Sequence, residues 1–164
     1  MTHKLWLWIS ITLILSVFSV PVIAAQGQSD CGTTSVPNKT GQDDLKLLIH
    51  GDGKLDSGHD SVFRVYSAPD GTQARVIYAK FASVSDAERQ TLDWLKQATK
   101  VTCRENDKNV DGQLVNERIL ATRRVAKSSG GEFMVIRRDD LICYLIESTS
   151  LKVAMQVESL IRHK

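Results

Sequence analysis

The stretch "VFRVYSAPDGTQARVIYAKF", followed at once by "SVSDAERQTLDWLKQATK", constrains this chain more than any other part of it. Val62 to Ser67 and Ala74 to Phe81 are rich in β-branched and aromatic residues. Pro69-Asp70-Gly71 between them supplies a preset φ and then a residue free to take positive φ, so the first half predicts a β-hairpin. The second half changes period. Ser85 with Glu88 matches a capping box, in which each side chain satisfies an orphan amide of the first turn. Ala87, Thr91, Trp94, Leu95 and Ala98 then recur at helical spacing, with Leu92 widening the stripe. Glu88, Arg89, Asp93, Lys96 and Gln97 fall on the other side, which predicts an amphipathic helix lying on a sheet.

The remaining elements fit the same plan. Leu45 to Ile49 is a short apolar run of strand length. Val115 to Val125, Glu132 to Arg138 and Leu141 to Glu147 predict a meander, turning at Lys127 to Gly131 and at Arg138-Asp139-Asp140. In the last of these, Leu141, Cys143 and Leu145 alternate with Ile142, Tyr144 and Ile146. Both faces are apolar, so the strand belongs in the middle of the sheet. Ser148 or Ser150 caps a final helix with Val153, Ala154, Val157, Leu160 and Ile161 on its buried face. Arg162, His163 and Lys164 end it, where positive charge suits the dipole. The expected fold is α+β: a two-layer sandwich of a mainly antiparallel sheet of about 5–6 strands with both helices on one face, in the order β-β-β-α-β-β-β-α.

Residues 1–25 stand apart. A short positive start ending at Lys4 leads into an apolar run, then Pro21 and small residues spaced as at a signal-peptidase site. A cleaved secretory signal is expected, although Leu5 to Ala25 is also long enough to span a bilayer. Residues 26–42 are Ser, Thr, Gly and Gln rich without periodicity and read as a polar, disordered leader, leaving 43–164 as a single domain. The whole chain has 21 Lys and Arg against 19 Asp and Glu. Losing Lys4 brings it still nearer to balance, so neither nucleic acid nor an acidic membrane surface is an expected partner. Of the three cysteines, Cys143 lies in an apolar strand and reads as a buried thiol. An oxidising compartment then favours a Cys31–Cys103 disulfide, with Cys103–Cys143 the alternative.

Three clusters invite chemistry. "DKNVDGQLVNER" places Asp107, Asn109 and Asp111 at alternate positions before Gly112, with the Gln113 carbonyl and Leu114 following. This resembles the calcium loop of EF-hand and related proteins over about a dozen residues. The resemblance implies a weak calcium site at Asp107, Asn109 and Asp111. The departure is at the last position, where a bidentate Glu belongs and Arg118 stands, with Glu117 one residue early. The motif belongs between two helices, but the downstream flank reads as a strand, so a plain hairpin turn is the expectation. The second cluster, "HGDGKLDSGHD", offers His50, Asp52, Asp56, His59 and Asp60 as borderline zinc ligands without a zinc spacing, and reads as a Gly-rich mobile connection. In the third, the meander brings Arg123, Arg124, Arg137 and Arg138 onto neighbouring strands, where forked donors suit a carboxylate or phosphate ligand; the alternative is a solvated strand pair with Glu117, Asp139 and Asp140 nearby.

Support for catalysis is thin. No G-x-S-x-G elbow or phosphate-cradling Gly loop is present, and Ser61 near His59 makes no triad by adjacency alone. The sequence therefore predicts an exported, non-catalytic binding or structural module of the periplasm, cell envelope or extracellular space. Its partner would be a protein or an envelope ligand, met on the sheet face that the helices leave open. Arg64, Tyr66, Tyr78, Arg123 and Arg137 are the strand residues expected there. A calcium-dependent module and a small secreted hydrolase using His50 or His59 as base are the rivals.

Overall fold

The computed structural model describes residues 31, 44–108, 110–112, 114–125 and 131–162. The expected signal, nearly all of the leader and Asn109 lie outside the described residues. The elements run β1 (Lys46–Lys54), β2 (Asp60–Ser67), β3 (Gln73–Lys80), α1 (Val84–Leu95), β4 (Lys100–Lys108), β5 (Leu114–Arg124), β6 (Gly131–Asp139), β7 (Ile142–Ser148) and α2 (Leu151–Arg162). The α+β class and the antiparallel sheet agree with the sequence, and the expected elements follow in the expected order; one further strand, β4, stands between α1 and β5, making seven strands among the described residues where about 5–6 were expected. The strands form one sheet of seven, ordered β1-β2-β3-β7-β6-β5-β4, and every neighbouring pair is antiparallel.

Local chemistry accounts for the turns and caps. Gly71, at φ 82°, closes the β2–β3 hairpin, and Asp70 Oδ1 accepts the Thr72 amide at 2.9 Å. Helix α1 starts two residues earlier than the Ser85/Glu88 pattern suggests. Ser83 Oγ accepts the Asp86 amide at 3.1 Å and donates to Asp86 Oδ2 at 2.7 Å. Two Ser-x-x-acid patterns overlap here, and the first is used. At α2, Ser150 is the cap, its Oγ accepting the Val153 amide at 3.4 Å, while Ser148 Oγ donates to the Gln73 carbonyl at 2.7 Å and so ties α2's entry to β3.

The layering differs from the expectation: the helices lie on opposite faces. Helix α1 packs Ala87 and Trp94 against Ala79, Ile119, Met134, Ile136, Cys143 and Leu145. Helix α2 packs Val153, Ala154 and Val157 against Tyr66, Ala74, Val76, Val135 and Ile146. Successive side chains of a strand point to opposite faces, so Val135 and Met134, or Ile146 and Leu145, cannot share a helix. Strands β6 and β7 are apolar on both sides and need a cover on each, worth about 1.5–3 kcal/mol for each fully buried aliphatic side chain.

Two further differences have physical causes. Strand β4 had no signal because it is an edge: apart from Cys103 and the half-buried Glu105 it is exposed, so its pattern does not alternate. Strand β1 extends to Lys54 through a segment read from sequence as a loop. Its Gly51 is a packing residue, since a Cβ there would sit 2.6 Å from Phe63 Cε1. Leu92, expected in the buried stripe of α1, is 49% exposed. Gln90 is buried instead and accepts a hydrogen bond from Ser57 Oγ at 3.0 Å, across to the β1–β2 turn.

Candidate functional site

Register places seven side chains in one row across the α2 side of the sheet: Asp52, Val62, Tyr78, Tyr144, Arg137, Arg118 and Glu105. Helix α2 covers the sheet next to this row, over Val76, Ile146 and Val135. The β5–β6 end of the row is fastened to the helix. Arg118 donates to both carboxylate oxygens of Glu158, from Nε at 2.7 Å and Nη2 at 2.9 Å. Glu105 lies 3.3 Å away on its other side. Burial alone would lower the Arg118 pKa, but Glu158 and Glu105 outweigh it and raise it above the usual value. Arg137 reaches the same Glu158 at 3.8 Å and donates from Nε to Asp139 Oδ2 at 2.8 Å.

The other half of the row is open. Tyr78 and Tyr144 are half-buried, with ring centroids 5.3 Å apart and planes tilted by 56°. Burial, with Asp139 adding to it, raises the Tyr144 phenol pKa, so at neutral pH it is a protonated donor. Asp52, Asp60, Val62, Tyr78 and Lys80 line a cavity of about 410 Å³ at this end. Arg64, one step along β2, lies on the same side. The surface is therefore an aromatic floor flanked by Arg137 on β6 and by the mixed charges of Asp52, Arg64 and Lys80 on the other side, suited to holding a polar, extended ligand.

Of the residues expected on a helix-free face, Arg64 and Tyr78 lie on the open half of the α2 side, and Arg137 lies at the end that α2 fastens. Tyr66 is only 3% exposed and is core under α2. Arg123 is on the opposite side. The four arginines of the meander split two and two, because adjacent strand residues face opposite ways. Arg123 and Arg138 face α1; Arg124 and Arg137 face the α2 side. Arg123 donates to Glu132 and, from Nη1, to Gln97 Oε1 at 2.8 Å. Its Nη2 is also 2.7 Å from Glu147 Oε1, off the hydrogen-bonding direction, so that contact is Coulombic. Arg75 completes the grip on Glu147, with Nε 2.7 Å from Oε2. Arg138 is fully buried; Nη2 donates to the Leu114 carbonyl at 3.1 Å and Glu88 lies 3.5 Å away.

Asp107 lies in β4 opposite Asn116, and Asp111 and Gly112 (φ 77°) turn the chain into β5, so the stretch that resembles a calcium loop is a hairpin. No group of three or more His, Cys, Asp or Glu able to hold a metal ion occurs among the described residues. His50 and Asp52 sit on β1, while Asp56 and His59 belong to the β1–β2 turn and Asp60 opens β2. His59 Nδ1 is 3.1 Å from Ser57 Oγ, and its ring rests on Phe81. Cys31 and Cys103 form the expected disulfide. Cys143 is a free, fully buried thiol, pushed up to about 11 by burial, and donates to the Ala87 carbonyl at 3.4 Å. It packs rather than reacts.

Sequence reasoning missed Tyr144 and Glu158. Tyr144 had a signal, a phenol inside an otherwise apolar alternation. Glu158 had none, since its partner is 40 residues away in the chain. No family model, curated protein or solved structure matches this chain.

Proposed function

We propose that this protein is an exported, non-catalytic binding module that holds a protein or envelope ligand on the open half of the α2-side face. The observation that carries the reading is the Tyr78–Tyr144 pair, left half-buried in mid-sheet between Arg137 on the β6 flank and Arg64 and Asp52 on the β2–β1 flank. Tyrosine gives a large, stiff contact area with a polar tip at low entropic cost, which is why it recurs as an anchor of interfaces. Export draws support from the apolar, Lys4-led start and is compatible with the Cys31–Cys103 disulfide. Thiol catalysis has no support, since the one free cysteine among the described residues is sealed under α1.

The test compares wild type with Tyr78→Ser and Tyr144→Ser as baits against the solubilised envelope fraction of the source cell. A component retained by wild type and lost from both variants, with melting curves showing all three folded, is the expected result. Equal capture by all three would reject the tyrosine face as the binding surface.

A further inference from the structure

The sheet has two open edges, and they are built differently. Strand β4 carries two register breaks, the Cys31 crosslink and three cations, Lys100, Arg104 and Lys108. Bulges and charges are what keep a free edge from pairing. Strand β1 carries one register break, at Leu48, and three consecutive apolar residues, Leu47, Leu48 and Ile49, exposed at 47%, 44% and 50%. The cation best placed to guard it, Lys54, is turned back onto its own hairpin, 3.1 Å from Asp60 and 3.5 Å from the Gly58 carbonyl.

Backbone geometry specifies what this edge offers. The Leu55 amide donates to the His59 carbonyl at 2.9 Å, which sets the alternation of hydrogen-bonded pairs along the β1–β2 ladder. Gly53, Gly51 and Ile49 bond inward to β2, and the amides and carbonyls of His50, Asp52 and Lys54 point away from it. The side chains of His50 and Asp52 lie on the α2 side; Ile49, Gly51 and Gly53 face the α1 side.

We propose that β1 pairs with β1 of a second copy of this chain, antiparallel about a two-fold axis at Gly51, joining two seven-stranded sheets edge to edge. A two-fold that keeps matching faces together must pass through a residue, and Gly51 is the centre that satisfies both charge and shape. It sets His50 opposite Asp52 of the second copy, twice, as outward hydrogen-bonded pairs. It also sets each Ile49 opposite Gly53, where no side chain competes. Gly53 is not demanded by the single chain: a Cβ there would meet only Ser61 Oγ, at an ordinary 3.6 Å. Centring on Asp52 would oppose two carboxylates and face His50 with Lys54. Centring on His50 would put Asp52 against the irregular Leu48. The ladder is short, so the dimer belongs to the small, weak class of interfaces, with a micromolar rather than nanomolar dissociation constant.

Sedimentation velocity on the purified protein, from low micromolar to near-millimolar concentration, reads the outcome. Wild type should shift from one chain to two. Asp52→Lys should weaken dimerisation about tenfold by removing the carboxylate that accepts from the His50 ring across the axis. The swap His50→Asp with Asp52→Lys should restore it, because the pair is rebuilt across the axis. Gly53→Val should keep the wild-type melting temperature within a few degrees and remain a single chain. A wild type that stays single throughout, an Asp52→Lys variant that associates unchanged, or a swap that fails to recover would each overturn the proposal. Tyr78→Ser leaves β1 intact and should dimerise normally, so loss of the tyrosine-face reading and loss of this one are told apart.

Discussion

The two faces of the sheet carry helices of equal length, yet among the described residues the middle of one face is sealed and the other is half open. On the α1 side a second cover joins the helix. The β1–β2 turn bends over that face, with Leu55 packing on the α1 cluster, Ser57 bonding Gln90 and the His59 ring on Phe81. Charges enclosed there must find partners, and Glu117 and Glu147 are gripped by arginines as a result. On the α2 side no turn among the described residues reaches the Tyr78–Tyr144 pair, and the charges gather where the helix does, around Glu158. Covering a strand pair takes more than a helix of the right length; an open surface is what remains when the connections go elsewhere.

The contrast can be broken by removing the carboxylate at each centre. Glu158→Ala should be the larger loss, about 3 kcal/mol by urea unfolding, because the Arg118 side chain it leaves behind is only 12% exposed. Glu147→Ala should cost about 2 kcal/mol: Arg75 is 53% exposed and can return to water, and Arg123 keeps Glu132. The reverse order would mean that the α1 side relies more on its ion pairs than its geometry suggests. Amide exchange should also quicken across α2 in Glu158→Ala and leave α1 protected.

The sealed face makes a pH prediction. Burial pushes the Cys143 thiol up to about 11, above the ordinary thiol range, so the unfolded chain gives up its proton first. Its contribution is complete below pH 9 and is lost as pH rises through 11. Stability measured at pH 8 and pH 10.5 should fall by on the order of 1–2 kcal/mol more in wild type than in Cys143→Ala. Equal slopes would show that the thiol reaches water. The smallest effect belongs to calcium. With Arg118 committed to Glu158, millimolar calcium followed by chelator should leave the melting temperature unchanged; a rise of several degrees would mean that the β4–β5 turn binds the ion.

Much of this architecture was open to reading from the residues alone, because it is written in local physics. Alternation at Val62 to Phe81, the Pro69-Asp70-Gly71 turn, the helical stripe through Ala87, Thr91 and Trp94, and the double apolar alternation of β7 each report on neighbours a few positions away. They determined the class, the order of every element but β4, the central place of β7 and the buried state of Cys143. Strand β4 escaped because an exposed edge has no apolar side to alternate, and β1 was cut short because Gly51 looks like a loop residue until Phe63 lies over it.

Tertiary structure alone decided the rest. A strand with two apolar faces states that it needs two covers, but not which helix supplies which; that depends on where the connections run. The four arginines of the meander lie on neighbouring strands as expected, but the alternation of side chains along those strands divides them two and two between the faces. The partners that matter most, Arg118 with Glu158 and Arg75 with Glu147, lie 40 and 72 residues apart. A charge at such a distance leaves no periodic trace in the chain, because only the folded sheet and its register bring the two together.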